Sequence, residues 1–543
     1  MGFFRRIFSS LTLRERRIFF IAVGCFFSAL VVAILFTVLN NSGSLSGTNP
    51  FIEGVVGQLK DPNPVLATSD IDRSIVRLVF SNLFDLSTSI EEHGSTPGSG
   101  WRVRLREDAT WHDGVRVTSD DVLFTIARIQ EDGSGSPLAS VWRGVKVSRI
   151  SELEIEITIP SSYVFFPDNF QTLFIAPKHI YADVPTSNWR LSDYHFKPVG
   201  SGMYQFDSYD ILPNGFVSAY RLRAAPHYFG KRPTIDRLNF SFYPNPTELY
   251  RAFDAGALTA FGAPNLAYDQ NIRRPFATHQ FPLPSYYAIF FNQSKAPILA
   301  DPVVRRAISL SINTQRIVTD ALLTHGTVVD FPIADPLASS TLFSPEEAMK
   351  LLDGRGWQRT ASGTRQISSK AGTQSLAFTL LVPDVDFLKT TASYIRDDLA
   401  QVGITATITV AGTADINANA IKNRNYEALL FGNSLGVSPD LFAFWHSSAR
   451  FSPGLNIALY ANKQVDTLLE NIRRTPDVAE RSMHLARLRS LIISDMPAVF
   501  LFSTSYNYIT ATTVSGITTQ TITDPSQRFL GVNNWSVKGF FGL

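Results

Sequence analysis

Few residues in this sequence have the type and spacing that catalysis needs. His112 stands beside Asp113, and an imidazole next to a carboxylate is a usual composition for a general base. Gly114 follows, so the same residues are turn formers, because glycine can take the positive φ of a tight turn. The nine histidines lack metal-ligand spacing, and the HExxH, P-loop and GxSxG patterns are absent. We therefore expect no enzyme, metal or cofactor, and we interpret His112 as part of a structural turn.

The elements around this turn are predicted to be a strand before it and a capped helix after it. Between Trp101 and Leu105 apolar residues alternate with arginines, and this period of two is typical of a half-buried strand. Thr118 is followed three residues later by Asp121, which is the pattern of a capping box. Apolar residues then continue with helical spacing from Val122 to Ile129.

Length and charge limit the class of protein. A chain of 543 residues exceeds one compact core, so at least two lobes are expected. Arginines are concentrated in the first 17 residues, and the remainder is close to neutral; such a body lacks the basic field that nucleic acid binding requires. A single cysteine, Cys25, excludes a disulfide within the chain.

An apolar run near the N-terminus predicts a membrane anchor. Residues Ile18 to Leu39 carry no charge, and a helix of that length spans roughly 33 Å, enough for a hydrocarbon layer of about 30 Å. Arginines precede the run, so residues 1–17 are expected in the cytoplasm, with 18–39 as the anchor and 40–50 as a linker. A cleaved signal peptide, a lipoprotein modified at Cys25 and a buried core helix are the alternatives.

Short phrases in the body resemble, in the same order, those of a known family. The segment WRVRLREDATWHDGVRVTSDDVLFTI is similar to the signature of bacterial extracellular solute-binding proteins of family 5, which are the oligopeptide, dipeptide and nickel receptors of ABC importers. Further phrases that resemble the family's are found at residues 174–180, 198–206, 286–292, 301–309, 345–357, 395–404 and 492–502. The chain departs from the family pattern at Ala260, where the family has an acid.

The resemblance implies an α/β fold of the two-lobed periplasmic-binding-protein type (type II, the large class with an extra subdomain). We expect the first lobe and its extra subdomain at residues 51–285, the second lobe at 286–500, and a return to the first lobe at 501–543. In this family a ligand is held between the lobes, which close over it like a hinge and are recognised by an ABC permease.

The family also implies where a solute is bound. Peptide-binding members carry an acid near a DNGDP phrase that pairs with the peptide ammonium group. Aligned on Pro439, that acid falls at Leu435, Ser438 replaces the acid before the proline, and Asp440 alone is acidic. The candidate ligand-binding residues are Asn433, Asp440, Trp445, Tyr460 and Tyr286.

Structural roles are the alternatives for several of these candidates. Asp is a preferred helix cap, so Asp440 could cap the short helix that follows it. Trp445 could pack in the core instead of stacking on a ligand, and Tyr286 could belong to the hinge core.

The predicted function is a membrane-anchored extracytoplasmic receptor, with its N-terminus in the cytoplasm, that delivers a peptide or similar polar solute to an ABC importer. The expected partners are that solute, an ABC permease and the membrane, with the protein itself a monomer. An envelope sensor or interaction protein that reuses the fold without transport is the alternative.

Overall fold

The computed structural model describes residues 50–333, 343–369 and 372–538. The predicted cytoplasmic tail, the anchor with Cys25 and nearly all of the linker lie outside these ranges. Within the described ranges, no helix is long and apolar enough to cross a membrane.

Strands and helices alternate along most of the described chain. The strands are β1 Phe51–Val56, β2 Ser87–Glu92, β3 Gly100–Leu105, β4 Lys146–Ser151, β5 Glu154–Thr158, β6 Tyr204–Ile211, β7 Val217–Ala224, β8 Arg237–Tyr243, β9 Ala260–Gly262, β10 Phe276–Pro282, β11 Ser285–Phe291, β12 Gly326–Val328, β13 Gln358–Arg359, β14 Arg365–Ser369, β15 Gly372–Ser375, β16 Ala377–Pro383, β17 Thr405–Ala411, β18 Ala428–Ser434, β19 Ala498–Ala511, β20 Val514–Ser515 and β21 Ser536–Val537. The α-helices are α1 Asp70–Val79, α2 Leu83–Leu86, α3 Ser119–Gln130, α4 Ala139–Trp142, α5 Lys178–Tyr181, α6 Pro246–Asp254, α7 Pro302–Ser311, α8 Thr314–Arg316, α9 Pro345–Gly354, α10 Asp386–Gln401, α11 Thr413–Asp415, α12 Phe442–Trp445, α13 Lys463–Arg474 and α14 Val478–Asp495.

One large mixed sheet organises the fold. Among the described strands its order is β17-β16-β18-β11-β19-β9-β1-β8-β7-β6, and β10 and β12 also pair with β19. The first part of β19 pairs with β11, and its later part pairs with β9 and β10. The chain therefore passes between the two halves of the sheet along β19, and also where β10 leads through Leu283 and Pro284 into β11.

Each half of the sheet has its own hydrophobic core, and the two halves form two lobes. The first lobe is built on β1 and β6–β9, and its core continues into the four-stranded sheet β2-β3-β5-β4. The second lobe is built on β11 and β16–β18, and separate apolar clusters cover the two faces of its sheet. Tyr286 and Phe290 of β11 belong to one cluster and Ile289 to the other, because successive side chains of a strand point to opposite faces. The predicted lobe boundaries at residues 286 and 500 remain predictions.

The predicted strand, turn and capped helix are confirmed in the first lobe. β3 and α3 flank the turn, in which Gly114 has a φ of 91°. The backbone N–H of Thr118 donates to Asp121 Oδ2 at 2.9 Å and completes the capping box.

His112 is a structural link within the first lobe. Its Nδ1 accepts a hydrogen bond from the backbone N–H of Gly200 at 3.2 Å. The ring proton is therefore on Nε2, which donates to the carbonyl oxygen of Gly202 at 2.9 Å. Both nitrogens are occupied by backbone groups, which supports the interpretation of His112 as part of a structural turn. Burial lowers the pKa of this imidazole from 6.5 to about 4.

This lowered pKa predicts a loss of stability in mild acid. The folded protein binds a proton at His112 less tightly than the unfolded chain does. The contribution of neutral His112 to the free energy of unfolding is therefore complete above about pH 6.5 and is lost as pH falls towards 4. The shift is equivalent to about 3 kcal/mol. In His112→Gln, the difference in unfolding free energy between pH 7.5 and pH 4 should shrink by up to that amount, measured by urea denaturation. The exposed His227→Gln is the control, and an unchanged pH dependence in His112→Gln would contradict the assignment.

Candidate functional site

A cavity of about 320 Å³ opens in the first lobe at the carboxyl ends of parallel strands. The ends of β1 and β9 and the first turn of α1 surround it, as the carboxyl ends of strands surround ligands in many α/β folds. We call it the first-lobe pocket; its lining residues are Glu53, Gly54, Val55, Val56, Ser69, Asp70, Ile71, Ser74, Phe240, Gly262, Ala263, Pro264, Tyr506, Pro525 and Arg528.

A buried ion pair forms the inner wall of the first-lobe pocket. Arg528 Nη2 donates to Glu53 Oε1 at 2.8 Å, and Tyr508 Oη donates to Glu53 Oε2 at 2.6 Å. The exposed fractions of the Glu53 and Arg528 side chains are 0% and 5%. Burial raises the pKa of Glu53, and the charge of Arg528 opposes that increase. Glu53 of β1 is therefore linked to the C-terminal segment by Arg528 and to β19 by Tyr508.

Tyr506 lies against the backbone of Gly262, and both residues line this pocket. A Cβ atom at position 262 would stand 2.0 Å from the Tyr506 hydroxyl oxygen, far inside van der Waals contact. The close approach of the ring therefore requires glycine at this position. Burial raises the pKa of Tyr506 to about 12, so its hydroxyl is a neutral donor at physiological pH.

In the second lobe, the structure brings several predicted ligand-binding residues together. Asn433 Nδ2 donates to Tyr286 Oη at 2.8 Å. The ring of Trp445 lies 6.4 Å from that of Tyr286 and 6.3 Å from that of Tyr460. Tyr286 and Trp445 are fully buried in one apolar cluster, which favours core packing, the alternative role of Trp445. A contact between these residues and a solute remains a prediction.

Tyr460 directs its hydroxyl away from this group. It donates to Asp495 Oδ2 at 2.5 Å, and both residues line a cavity of about 660 Å³. Gln293, which follows the end of β11, also lines this cavity. The cavity therefore lies at the opposite end of the second-lobe sheet from Ser285 and Ser434, where the chain crosses between lobes.

Asp440 has structural partners for both carboxylate oxygens. Oδ1 accepts from the backbone N–H of Phe442, the first residue of α12, at 3.0 Å. This contact is of the kind that the capping alternative expects, although Leu441 occupies the N-cap position. Oδ2 accepts from Tyr163 Oη at 3.0 Å and from Arg473 Nε at 2.9 Å. Tyr163 and Arg473 were not predicted, because nothing in the local sequence pattern links them to Asp440.

Within the part of the chain that the structure describes, no group of three or more His, Cys, Asp and Glu side chains is arranged to hold a metal ion.

Two α/β lobes on one mixed sheet, joined by two strand crossings, define the class of two-lobed periplasmic solute-binding proteins. The particular family follows from the sequence: residues 61–452 match the profile of bacterial extracellular solute-binding proteins, family 5, and the chain belongs to that family.

Named relatives bind different solutes. The oligopeptide-binding protein AppA of Bacillus subtilis is 25% identical over 503 residues, which is 85% of this chain and 88% of AppA. The nickel-binding periplasmic protein of Escherichia coli is 25% identical over 382 residues, which is 65% of this chain and 68% of that protein.

Solved structures share the fold. NikZ from Campylobacter jejuni, in complex with Ni(L-His), has a TM-score of 0.67 at 22% identity, and the match covers 90% of this chain and 100% of NikZ. AppA from Bacillus subtilis, in complex with a nonapeptide, has a TM-score of 0.65 at 22% identity, and the match covers 90% of this chain and 99% of AppA.

Proposed function

We propose that this chain is a membrane-anchored, extracytoplasmic receptor that delivers a peptide or a similar polar solute to an ABC importer by closing its lobes over a cleft. The observation that carries the proposal is a two-lobed fold of this family with a first-lobe pocket at the carboxyl ends of β1 and β9, the end of the first-lobe sheet at which β19 arrives from the second lobe.

The strand crossings supply the hinge in this proposal. Ser503 Oγ donates to the carbonyl oxygen of Leu283 at 3.0 Å, so the two crossings are tied to each other. The backbone N–H of Leu435 donates to the Pro284 carbonyl at 2.8 Å and ties the second-lobe segment after β18 to the same place. A solute that contacts both lobes stabilises the closed form by its differential affinity for that form.

Thermal stabilisation tests the solute claim. The full chain, purified in detergent, is heated with a peptide library and, separately, with nickel and L-histidine. A solute at one hundred times its Kd stabilises the folded protein by about 2.7 kcal/mol, which raises the melting temperature by several degrees. No shift with any peptide would contradict the peptide proposal, and a shift with nickel and histidine alone would identify a metal chelate as the solute.

Fractionation tests the anchor. The full chain should be recovered with the membrane and a chain that lacks residues 1–40 should not. Full-length protein free in the medium would contradict the anchor.

Gly262→Ala tests the first-lobe pocket. The added methyl group would clash with the Tyr506 ring, which lines the pocket, and such overpacking costs about 1–3 kcal/mol. We expect a lower melting temperature together with weaker solute binding. Gly412→Ala is the matched control, because a Cβ atom at position 412 meets no other atom within 4 Å. Unchanged solute affinity in Gly262→Ala would place the solute away from this pocket.

A further inference from the structure

The two lobes also meet where no backbone passes between them. The segment Tyr163–Asp168 is fixed in the first lobe through Phe166, whose ring lies 5.3 Å from Trp101 and 5.3 Å from Trp142. Phe165, next to it, is buried in an apolar cluster of the second lobe, and the guanidinium of Arg481 lies 5.3 Å from its ring. Adjacent residues therefore belong to the cores of different lobes.

Polar contacts reinforce this junction. Tyr163 Oη donates to Asp440 Oδ2 at 3.0 Å, and Ser438 Oγ donates to Asp168 Oδ2 at 2.8 Å. Each of these bonds joins a first-lobe residue to the second-lobe segment that follows β18. That segment starts after Ser434, at the end of the second-lobe sheet where the chain crosses between lobes.

Arg473 of α13 organises the second-lobe side of the junction. Its Nε and Nη2 atoms each lie 2.9 Å from Asp440 Oδ2. The guanidinium group stands 4.1 Å from the centre of the Phe442 ring and 5.0 Å from that of Tyr163. The backbone N–H of Val164 donates to the carbonyl oxygen of Arg473 at 2.9 Å. One arginine thus neutralises the acid, contacts the first-lobe tyrosine and accepts a backbone hydrogen bond from the first lobe.

Asp440 has little capacity left for a solute in this conformation. Its side chain is 13% exposed, and the donors from Tyr163, Arg473 and Phe442 occupy both oxygens. A solute ammonium group would have to displace Arg473, which is already paired with the acid and packed against aromatic rings.

We propose that Tyr163, Asp440 and Arg473 form a latch that holds the two lobes closed and thereby sets the affinity for solute without contacting it. The latch rests on the hinge closure of the proposed function. If closure depends on these contacts, the apparent Kd is the intrinsic Kd divided by the closed fraction. Loss of the latch then weakens binding of every solute by the same factor.

A measurement without solute tests the latch directly. Spin labels are placed on the full chain in detergent at Ser187→Cys in the first lobe and Ser490→Cys in the second, in a Cys25→Ser background. Pulsed EPR should show longer distances between the labels in Arg473→Gln and a smaller change in the same direction in Tyr163→Phe, which removes only the hydroxyl. Arg474→Gln is the control, since Arg474 is 66% exposed on the same helix. Distance distributions equal to wild type in both latch variants would overturn the proposal.

A second measurement separates the latch from direct capture of a solute amine. The binding constants of a peptide that stabilises the wild-type protein, and of its N-acetylated form, are measured by calorimetry. The latch predicts that Arg473→Gln weakens both peptides equally, by about tenfold or more, because a hydrogen-bonded charge pair is lost. If Asp440 instead binds the ammonium group, Tyr163→Phe leaves the affinity for both peptides unchanged, and Asp440→Asn weakens binding of the free-amine peptide alone. That result overturns the latch. If no solute binds, the proposed function fails, while the distance measurement still decides the latch.

Discussion

Replacing Arg528 with methionine is expected to lower the free energy of unfolding by about 3–5 kcal/mol, because it leaves a charge buried without its partner. Glu53 would retain only the Tyr508 hydroxyl and no cation within the first-lobe core. Urea denaturation at pH 7 measures the change. The exposed Arg232→Met is the control, since its pair with Asp236 is solvent-exposed and is worth at most about 1 kcal/mol.

The pH dependence identifies the cause of this loss. Without Arg528 the pKa of Glu53 rises further, so the folded state of the variant favours the protonated carboxyl group. The stability that protonation of Glu53 contributes is fully present below about pH 4.5, the pKa of this carboxyl group in the unfolded chain. It is lost as pH rises through the higher pKa of the folded state. The deficit of Arg528→Met should therefore shrink towards pH 4.5.

A double variant gives the decisive comparison. Glu53→Gln combined with Arg528→Met removes both charges, and it should recover part of the stability lost in Arg528→Met alone. If the double variant is less stable than Arg528→Met, the buried charge is not the cause of the loss.

Local patterns in the sequence were sufficient to predict much of the first lobe. Alternation in β3 and the Thr118–Asp121 capping box are set by neighbours within a few residues, and both form as predicted. The alternation follows from the period of two in a strand, and the capping box from the unpaired N–H groups at the start of a helix. Both are properties of the backbone, so a local sequence pattern is enough to predict them.

The candidate site could be predicted only in part. Tyr163 and Asp440 are separated by 277 residues, so their contact depends on how the two lobes pack against each other and not on local spacing. Aromatic residues such as Tyr286 and Trp445 suit a pocket wall and a core equally well, and only their burial distinguishes the two. The family resemblance located the segment after β18. That Arg473 neutralises Asp440 in this segment could be seen only from the structure, because the two residues are not neighbours in the sequence.

Arg305 is the subject of the second large prediction, because its side chain binds backbone oxygens and no carboxylate. Its guanidinium donates to the carbonyls of Leu299, Ala300, Asp495 and Met496 at distances of 2.8–2.9 Å. Only 6% of the residue is exposed, so methionine in its place would set an apolar side chain against four carbonyls that have lost their donors. Arg305→Met should therefore cost about 3–5 kcal/mol of unfolding free energy.

The position of these carbonyls gives the variant a local signature. Asp495 and Met496 end α14 and immediately precede β19, the strand that crosses between the lobes. Hydrogen exchange of the amides in residues 492–502 should therefore accelerate in Arg305→Met before global unfolding. Arg305→Lys should rescue little, because three donors on one nitrogen cannot reproduce the planar guanidinium geometry. Arg306→Met, at the next position of α7, is the matched control; equal losses in the two variants would show that the carbonyl contacts do not determine stability there.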